Sequence, residues 1–206
     1  MKIETLKSTD YTKGAQSLRL TVLAGSLEEV TGTLCGKECL NVYADNTGED
    51  LLVERLEGYR YLYSLDETGD GRFEVVLTRE EPTLRMLALK AVSKIESHDR
   101  SSAVNSFTLG GRSMWLDKET RVGLVNSIGM EQAAGKETTV LWYDGQRYVI
   151  PIPLALQMLS CLELYALECY NVTQEHISAV LALETREEVE GYDYTSGYPD
   201  KLVFNL

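Results

Sequence analysis

The chain is poor in the residues from which catalytic and metal centres are built. It has two histidines, His98 and His176, which excludes a histidine-rich metal site, and neither lies in a serine or cysteine context that suggests a triad. Four cysteines, Cys35, Cys39, Cys161 and Cys169, are too few for a disulfide scaffold at a length of 206 residues. The first residues, MKIETLKSTDYTKG, lack the apolar core of a secretory signal, so the thiols are expected reduced and the protein cytoplasmic. No charge-free apolar run reaches the roughly 18 residues of a membrane span, and no lysine or arginine cluster occurs. The formal charge of −12 is spread evenly, −6 in residues 1–80 (9 basic, 15 acidic) and −6 in residues 81–206 (11 basic, 17 acidic). Such a surface is repelled by phosphate backbones and anionic lipid, so neither nucleic acid nor membrane is an expected partner. Low-complexity runs and internal repeats are also missing, which confines expected disorder to the chain ends.

What the sequence does have is apolar patterning. Residues 153–183, PLALQMLSCLELYALECYNVTQEHISAVLAL, contain no glycine and no proline after the first position. This spacing predicts one long helix, with Pro153 tolerated in its first turn. Its polar residues leave a wide apolar sector of Leu154, Leu156, Met158, Leu159, Leu162, Leu164, Tyr165 and Leu167. At about 1.5–3 kcal/mol per large side chain, leaving that sector wet would forgo on the order of 10 kcal/mol, so it must be covered by the domain or by another chain.

Around this helix the sequence predicts an α+β protein. Residues 1–80 read as a small α+β unit with antiparallel strands. SLRLTVL (17–23) is a strand, Ser26 and Glu29 cap a short helix ended by Gly36, and a strand follows at 40–44. The turn signal DNTGED (45–50) leads into two strand pieces kinked at Gly58, and DETGDG (66–71) turns into RFEVVLTR (72–79). Residues 81–101, beginning at Glu81 and Pro82, form a connecting helix and a loop, HDRSSAVNS. Residues 102–206 form a mainly helical domain with two hairpins, through Gly110-Gly111 and Asp144-Gly145, a helix over 117–134 between them, the long helix, and a last short helix capped by Thr185 and Glu188.

Candidate chemistry is thin. DETGDG places Asp66, Thr68 and Asp70 at alternate positions like a calcium loop, yet Leu77 stands where the bidentate glutamate would be. Cys35 and Cys39 supply two zinc ligands where four are needed. No glycine-rich loop opens a helix as a phosphate site requires. The pairs Glu28-Glu29 and Glu187-Glu188 sit where helix dipoles favour them without catalysis. No metal, cofactor or catalytic residue is therefore assigned. The C-terminal tail is richer, because Tyr192, Tyr194 and Tyr198 join Phe204 on irregular backbone. Tyrosines in that setting are good contact residues, and with Tyr170 at the outer edge of the long helix they form a candidate partner-binding set. The alternative is that the tail folds back and covers the helix.

From about Ser101 to the end, the segments SSAVNSFTLGGRSMWLDKETRVGLVNSI, AAGKETTVLWYDGQRYVIP, ALQMLSCLELYALECYNVTQEHISAVLAL and EEVEGYDYTSGYP resemble an uncharacterised domain encoded in bacterial prophage and phage tail regions. That domain is similar to the C-terminal part of tail-fibre assembly proteins. The resemblance rests on Phe107 and Trp115 in the first hairpin, Arg121 in the next helix, Trp142 in the second hairpin, and Tyr165, Tyr170 and His176 on the long helix. Residues 26–65 also look similar to modules joined N-terminally to that domain. The resemblance implies a non-enzymatic tail-assembly protein that holds a tail-fibre or baseplate component in the bacterial host cell, with self-association open to the same apolar surface. The alternative it implies is a minor structural subunit that stays in the tail or baseplate; a metal-independent hydrolase is the remote third reading. The chain has no long β-repeat stretch, which sets it apart from mature fibres.

Overall fold

The computed structural model describes residues 1–45 and 50–205 and has the α+β composition expected. The chain forms two compact units, Met1–Leu87 and Ala88–Leu206. The expected turn over 45–50 falls on residues 46–49, outside the described residues.

In the first unit the strands are β1 (Lys2–Ile3), β2 (Leu6–Lys13), β3 (Ser17–Leu23), β4 (Cys39–Asp45), β5 (Asp50–Glu57), β6 (Tyr61–Gly69) and β7 (Arg72–Thr78), with helix α1 (Leu27–Leu34) after β3. They form an antiparallel sheet in the order β5-β4-β1-β2-β3-β7-β6. Period-two alternation decides its buried face: Leu18, Leu20 and Val22 of β3 lie directly opposite Leu77, Val75 and Phe73 of β7, and all six are buried. Val30 and Leu34 bring α1 into this core. The Ser26 hydroxyl caps α1 by accepting from the Glu29 N–H at 3.2 Å, whereas the Glu29 carboxylate reaches one residue further back than the expected capping box, to the Gly25 N–H at 2.8 Å. The turn expected over 66–71 is tighter than its composition suggested. β6 continues through Gly69, and only Asp70 (φ 55°) and Gly71 (φ 68°) make the reversal, both in the left-handed conformation a two-residue hairpin demands.

Helix α2 (Leu84–Asp99) follows Pro82, and the division between the units falls inside it. The second unit continues with β8 (Phe107–Leu109), β9 (Arg112–Met114), α3 (Lys118–Ala133), β10 (Thr138–Tyr143), β11 (Gln146–Pro151), α4 (Ile152–Ala182), α5 (Arg186–Glu190) and β12 (Val203–Phe204). The hairpin β10–β11 is a sheet of two strands; β8 and β9 pair antiparallel, and β12 adds parallel to β8. Asp117 caps α3 through the Thr120 N–H at 2.7 Å, and Thr185 with Glu188 forms a complete capping box on α5.

The 31-residue α4 is the axis of this unit. Its buried stripe, Ile152, Ala155, Met158, Leu159, Leu162, Tyr165, Cys169, Thr173 and Val180, recurs every three or four residues. The first half of the stripe packs with Phe107, Leu109, Met114, Leu116, Ile128 and Ile150, Tyr165 and Cys169 with Val104, and Val180 with Ala88 and Ile95. By length and composition α4 could cross a bilayer, but within this unit its stripe is the centre of a protein core. The apolar sector expected to need cover is only partly covered. Leu159 and Leu162 are buried, while Leu164 and Leu167 are 63% and 55% exposed.

Candidate functional site

The C-terminal half of α4 directs Cys169, Thr173 and His176 at the chain's last segment and at the end of α2. Tyr198 donates to Thr173 Oγ1 (3.0 Å), which donates in turn to Asp99 Oδ1 (2.9 Å). His176 Nε2 lies 2.9 Å from the Ser196 carbonyl and Nδ1 lies 2.8 Å from the Tyr192 hydroxyl. A carbonyl can only accept, so Nε2 carries the proton, and in the neutral ring Nδ1 accepts from Tyr192. His98, at the end of α2 where a loop was expected, meets Tyr194 and Tyr198 edge-on at 5.8 and 5.4 Å. Tyr192, Tyr194 and Tyr198 are thus half-buried, with rings or hydroxyls engaged by α2 and α4. His176 is half-buried with both ring nitrogens bonded, because the tail supplies a phenol and a carbonyl at its height. Tyr170 stands apart from this set at 56% exposed.

The arrangement offers little to a substrate. Neither histidine ring is hydrogen-bonded to a serine, threonine or cysteine side chain among the described residues, so no nucleophile–base pair is assembled there. Burial pushes the Cys169 thiol up, away from the reactive thiolate, and burial also raises the Tyr198 phenol. Among the described residues no group of three histidines, cysteines or acids is placed to hold a metal ion, and all four cysteines are free thiols. The apolar void beneath β10, between Ile128 and Leu162, measures about 30 Å³ and is too small for a metabolite. A larger space of about 320 Å³ is an open groove between α3 and α4, floored by Val122, Val125 and Leu159 and flanked by Arg121 and Glu163.

The residues that carry the sequence resemblance separate into two kinds. Phe107 is buried edge-on to Phe204 at 5.8 Å. Arg121 is 5% exposed and ties three elements together: Nη1 donates to the Leu116 carbonyl (2.6 Å), Nε donates to Glu163 on α4 (2.9 Å), and the guanidinium lies over the Trp115 ring at 5.2 Å. Trp115 packs edge-on to Tyr165, whose hydroxyl donates to the Val104 carbonyl at 2.8 Å. These residues build the unit. Trp142 and Tyr170 do not: they are 64% and 56% exposed.

Beside Tyr170 lie Leu164 and Leu167. Steps of three residues make Leu164, Leu167 and Tyr170 a slanting apolar ridge on the wet side of α4, between Glu163, Glu168 and Asn171. Helix phase sets the two leucines apart from the buried stripe, because Ser160, Glu163, Asn171 and Gln174 surround their positions. Three large apolar side chains thus stand exposed along one helix, at 63%, 55% and 56%. Comparison of the chain with known protein families, with curated proteins and with solved structures finds no match.

Proposed function

We propose that this chain is a non-enzymatic, protein-binding protein that acts in phage or prophage tail assembly by holding a tail-fibre or baseplate component. The observation that carries the binding role is the ridge Leu164-Leu167-Tyr170, exposed on a helix whose opposite stripe is fully used in the core. An aromatic at the end of a leucine ridge on a rigid helix loses little entropy on binding and offers the kind of anchor that dominates protein interfaces. The even negative charge keeps such a surface soluble before its partner arrives. The tail setting comes from the sequence resemblance of residues 101–206. Tyr192, Tyr194 and Tyr198 support the ridge from behind by fixing α4, and Tyr170 is the contact tyrosine of the set.

The test is co-expression with a tail-fibre or baseplate protein of the kind proposed, followed by co-purification. Wild type is expected to retain that protein and the triple variant Leu164→Ser, Leu167→Ser, Tyr170→Ser to lose it while keeping its helical circular dichroism. Mass spectrometry of purified particles then separates an assembly factor, absent from them, from a resident subunit.

A further inference from the structure

The hairpin β10–β11 is a two-stranded sheet whose outer edges pair with no other strand among the described residues. Its register fixes which backbone groups are left over. The Ile152 N–H donates to the Glu137 carbonyl at 3.0 Å, so by the alternation of an antiparallel ladder Thr139, Leu141 and Tyr143 also bond toward β11. Thr138, Val140 and Trp142 turn their N–H and C=O groups to the free edge, and their side chains share the exposed face of the hairpin.

Free edges are normally defended by charge, proline or a bulge. β5 and β6, at the ends of the first unit's sheet, carry Asp50, Glu54, Arg55 and Glu57, and Asp66 and Glu67 respectively. β11 carries Arg147 and ends on Pro151, whose missing N–H lies on its outer edge. β10, TTVLWY, has no charge, glycine, proline or bulge, and it exposes Val140 and Trp142 at 39% and 64%.

We infer that the free edge of β10 is a homodimer interface, at which two copies of the chain pair β10 antiparallel about Val140 to build a four-stranded sheet, β11-β10-β10-β11. A two-fold axis at Val140 makes all three outward residues hydrogen-bonded pairs: Val140 with the partner's Val140, and Thr138 with the partner's Trp142 at each end, every pair exchanging two bonds. Each indole then lies diagonal to the partner's Val140, within reach of a large side chain. The charges select the same register. The strand is uncharged along the seam, so no like charges oppose each other within the ladder, and just beyond each end Lys136, which bridges Glu131 of its own chain at 2.8 Å and keeps its side chain 59% exposed, comes opposite the partner's exposed Asp144. A slip of two residues either way loses that match. This interface is independent of what the α4 ridge binds.

Sedimentation and light scattering of the full chain should give twice 23.1 kDa, with the amides of Thr138, Val140 and Trp142 as slow to exchange as those of Thr139, Leu141 and Tyr143. Val140→Lys, at an exposed position, sets like charges across the axis and should give a monomer in which the outward amides exchange rapidly and the inward ones stay protected. Asp144→Asn, which suits the left-handed backbone there (φ 47°) and leaves the Lys136–Glu131 bridge intact, should raise the dimer dissociation constant several-fold at low salt, an effect that shrinks as salt screens it. A monomeric wild type, or a dimer whose three outward amides exchange freely, overturns the inference. Should Val140→Lys fail to fold, wild-type exchange and Asp144→Asn still decide.

Discussion

Replacing Arg121 should destabilise the second unit more than any exposed ion pair could account for. Its guanidinium is nearly buried between α3, the exit of β9 and α4. Arg121→Ala removes a charge-assisted bond to the buried Leu116 carbonyl, a loss of about 1.5–3 kcal/mol. It also removes the stacking over Trp115, about 0.5–2 kcal/mol. The bridge to Glu163 adds no more than about 1 kcal/mol, since that carboxylate is 51% exposed. These losses overlap, and a net of about 3–4 kcal/mol is expected, equivalent to roughly 12–16 °C in Tm for a unit of this size. Arg121→Lys should recover about half of it, because an ammonium keeps the charge and loses the fork and the stacking plane. Both tryptophans of the chain, Trp115 and Trp142, lie in the second unit, so tryptophan fluorescence follows its denaturant unfolding separately from the first unit. A change in Arg121→Ala below about 0.5 kcal/mol, the range of an ordinary surface substitution, would refute the view that this residue joins the three elements.

Three further outcomes follow from the packing. Alanine at both Tyr192 and Tyr194 should lower the second unit's melting temperature markedly, because it strips the His176 partner and two aromatics packed around Val180 and Ile95; an unchanged melt would show that the tail does not brace α4. A fragment of residues 83–206 should melt cooperatively while residues 102–206 should not, because only the longer one keeps Ala88 and Ile95 of α2 against Val180; equal melts would remove α2 from the core. In the first unit the Glu54 carboxyl is held below the usual glutamate range by hydrogen bonds from Lys13 and from Tyr11. Its contribution is therefore complete above the unfolded pKa and lost as pH falls through the lower folded one. Glu54→Gln should flatten that acid limb of the unfolding curve, and an identical limb in the variant would contradict the assignment.

Much of the fold is legible in local pattern. β3 and β7 alternate cleanly, α4 runs uninterrupted by glycine, and the caps at Ser26, Asp117 and Thr185 are short-range chemistry that side chains state directly. β1 and β2 are not legible. LKSTDYTK offers only Leu6 and Tyr11 as apolar signals, and the strand is held by neighbours, including a bond from the buried Ser8 hydroxyl to the Thr21 carbonyl at 3.0 Å. β12 is two residues long and depends on β8 from far along the chain. Pro82 marks the start of α2, whereas the units divide between Leu87 and Ala88, because only the tertiary core shows that Ala88 and Ile95 belong with Val180. The candidate surface was legible in part. Tyr170 is marked by its place at the helix edge, but composition leaves open whether Leu164 and Leu167 are covered by the domain or by another chain, and whether the tail tyrosines contact a partner or fold back over the helix. Hydrophobicity gives a side chain's preference, and the phase of the helix decides whether it is met.

The proposed binding role stands on the α4 ridge, and the most direct measurement is a calorimetric titration of the tail-fibre or baseplate protein proposed as its partner against wild type and against Leu167→Ser with Tyr170→Ser. Two ridge anchors at about 1–2 kcal/mol each correspond to a roughly 30-fold to 1000-fold loss of affinity, with the melting temperature of the free protein unchanged. Equal affinity for the two forms, or no binding by the wild type, would contradict it.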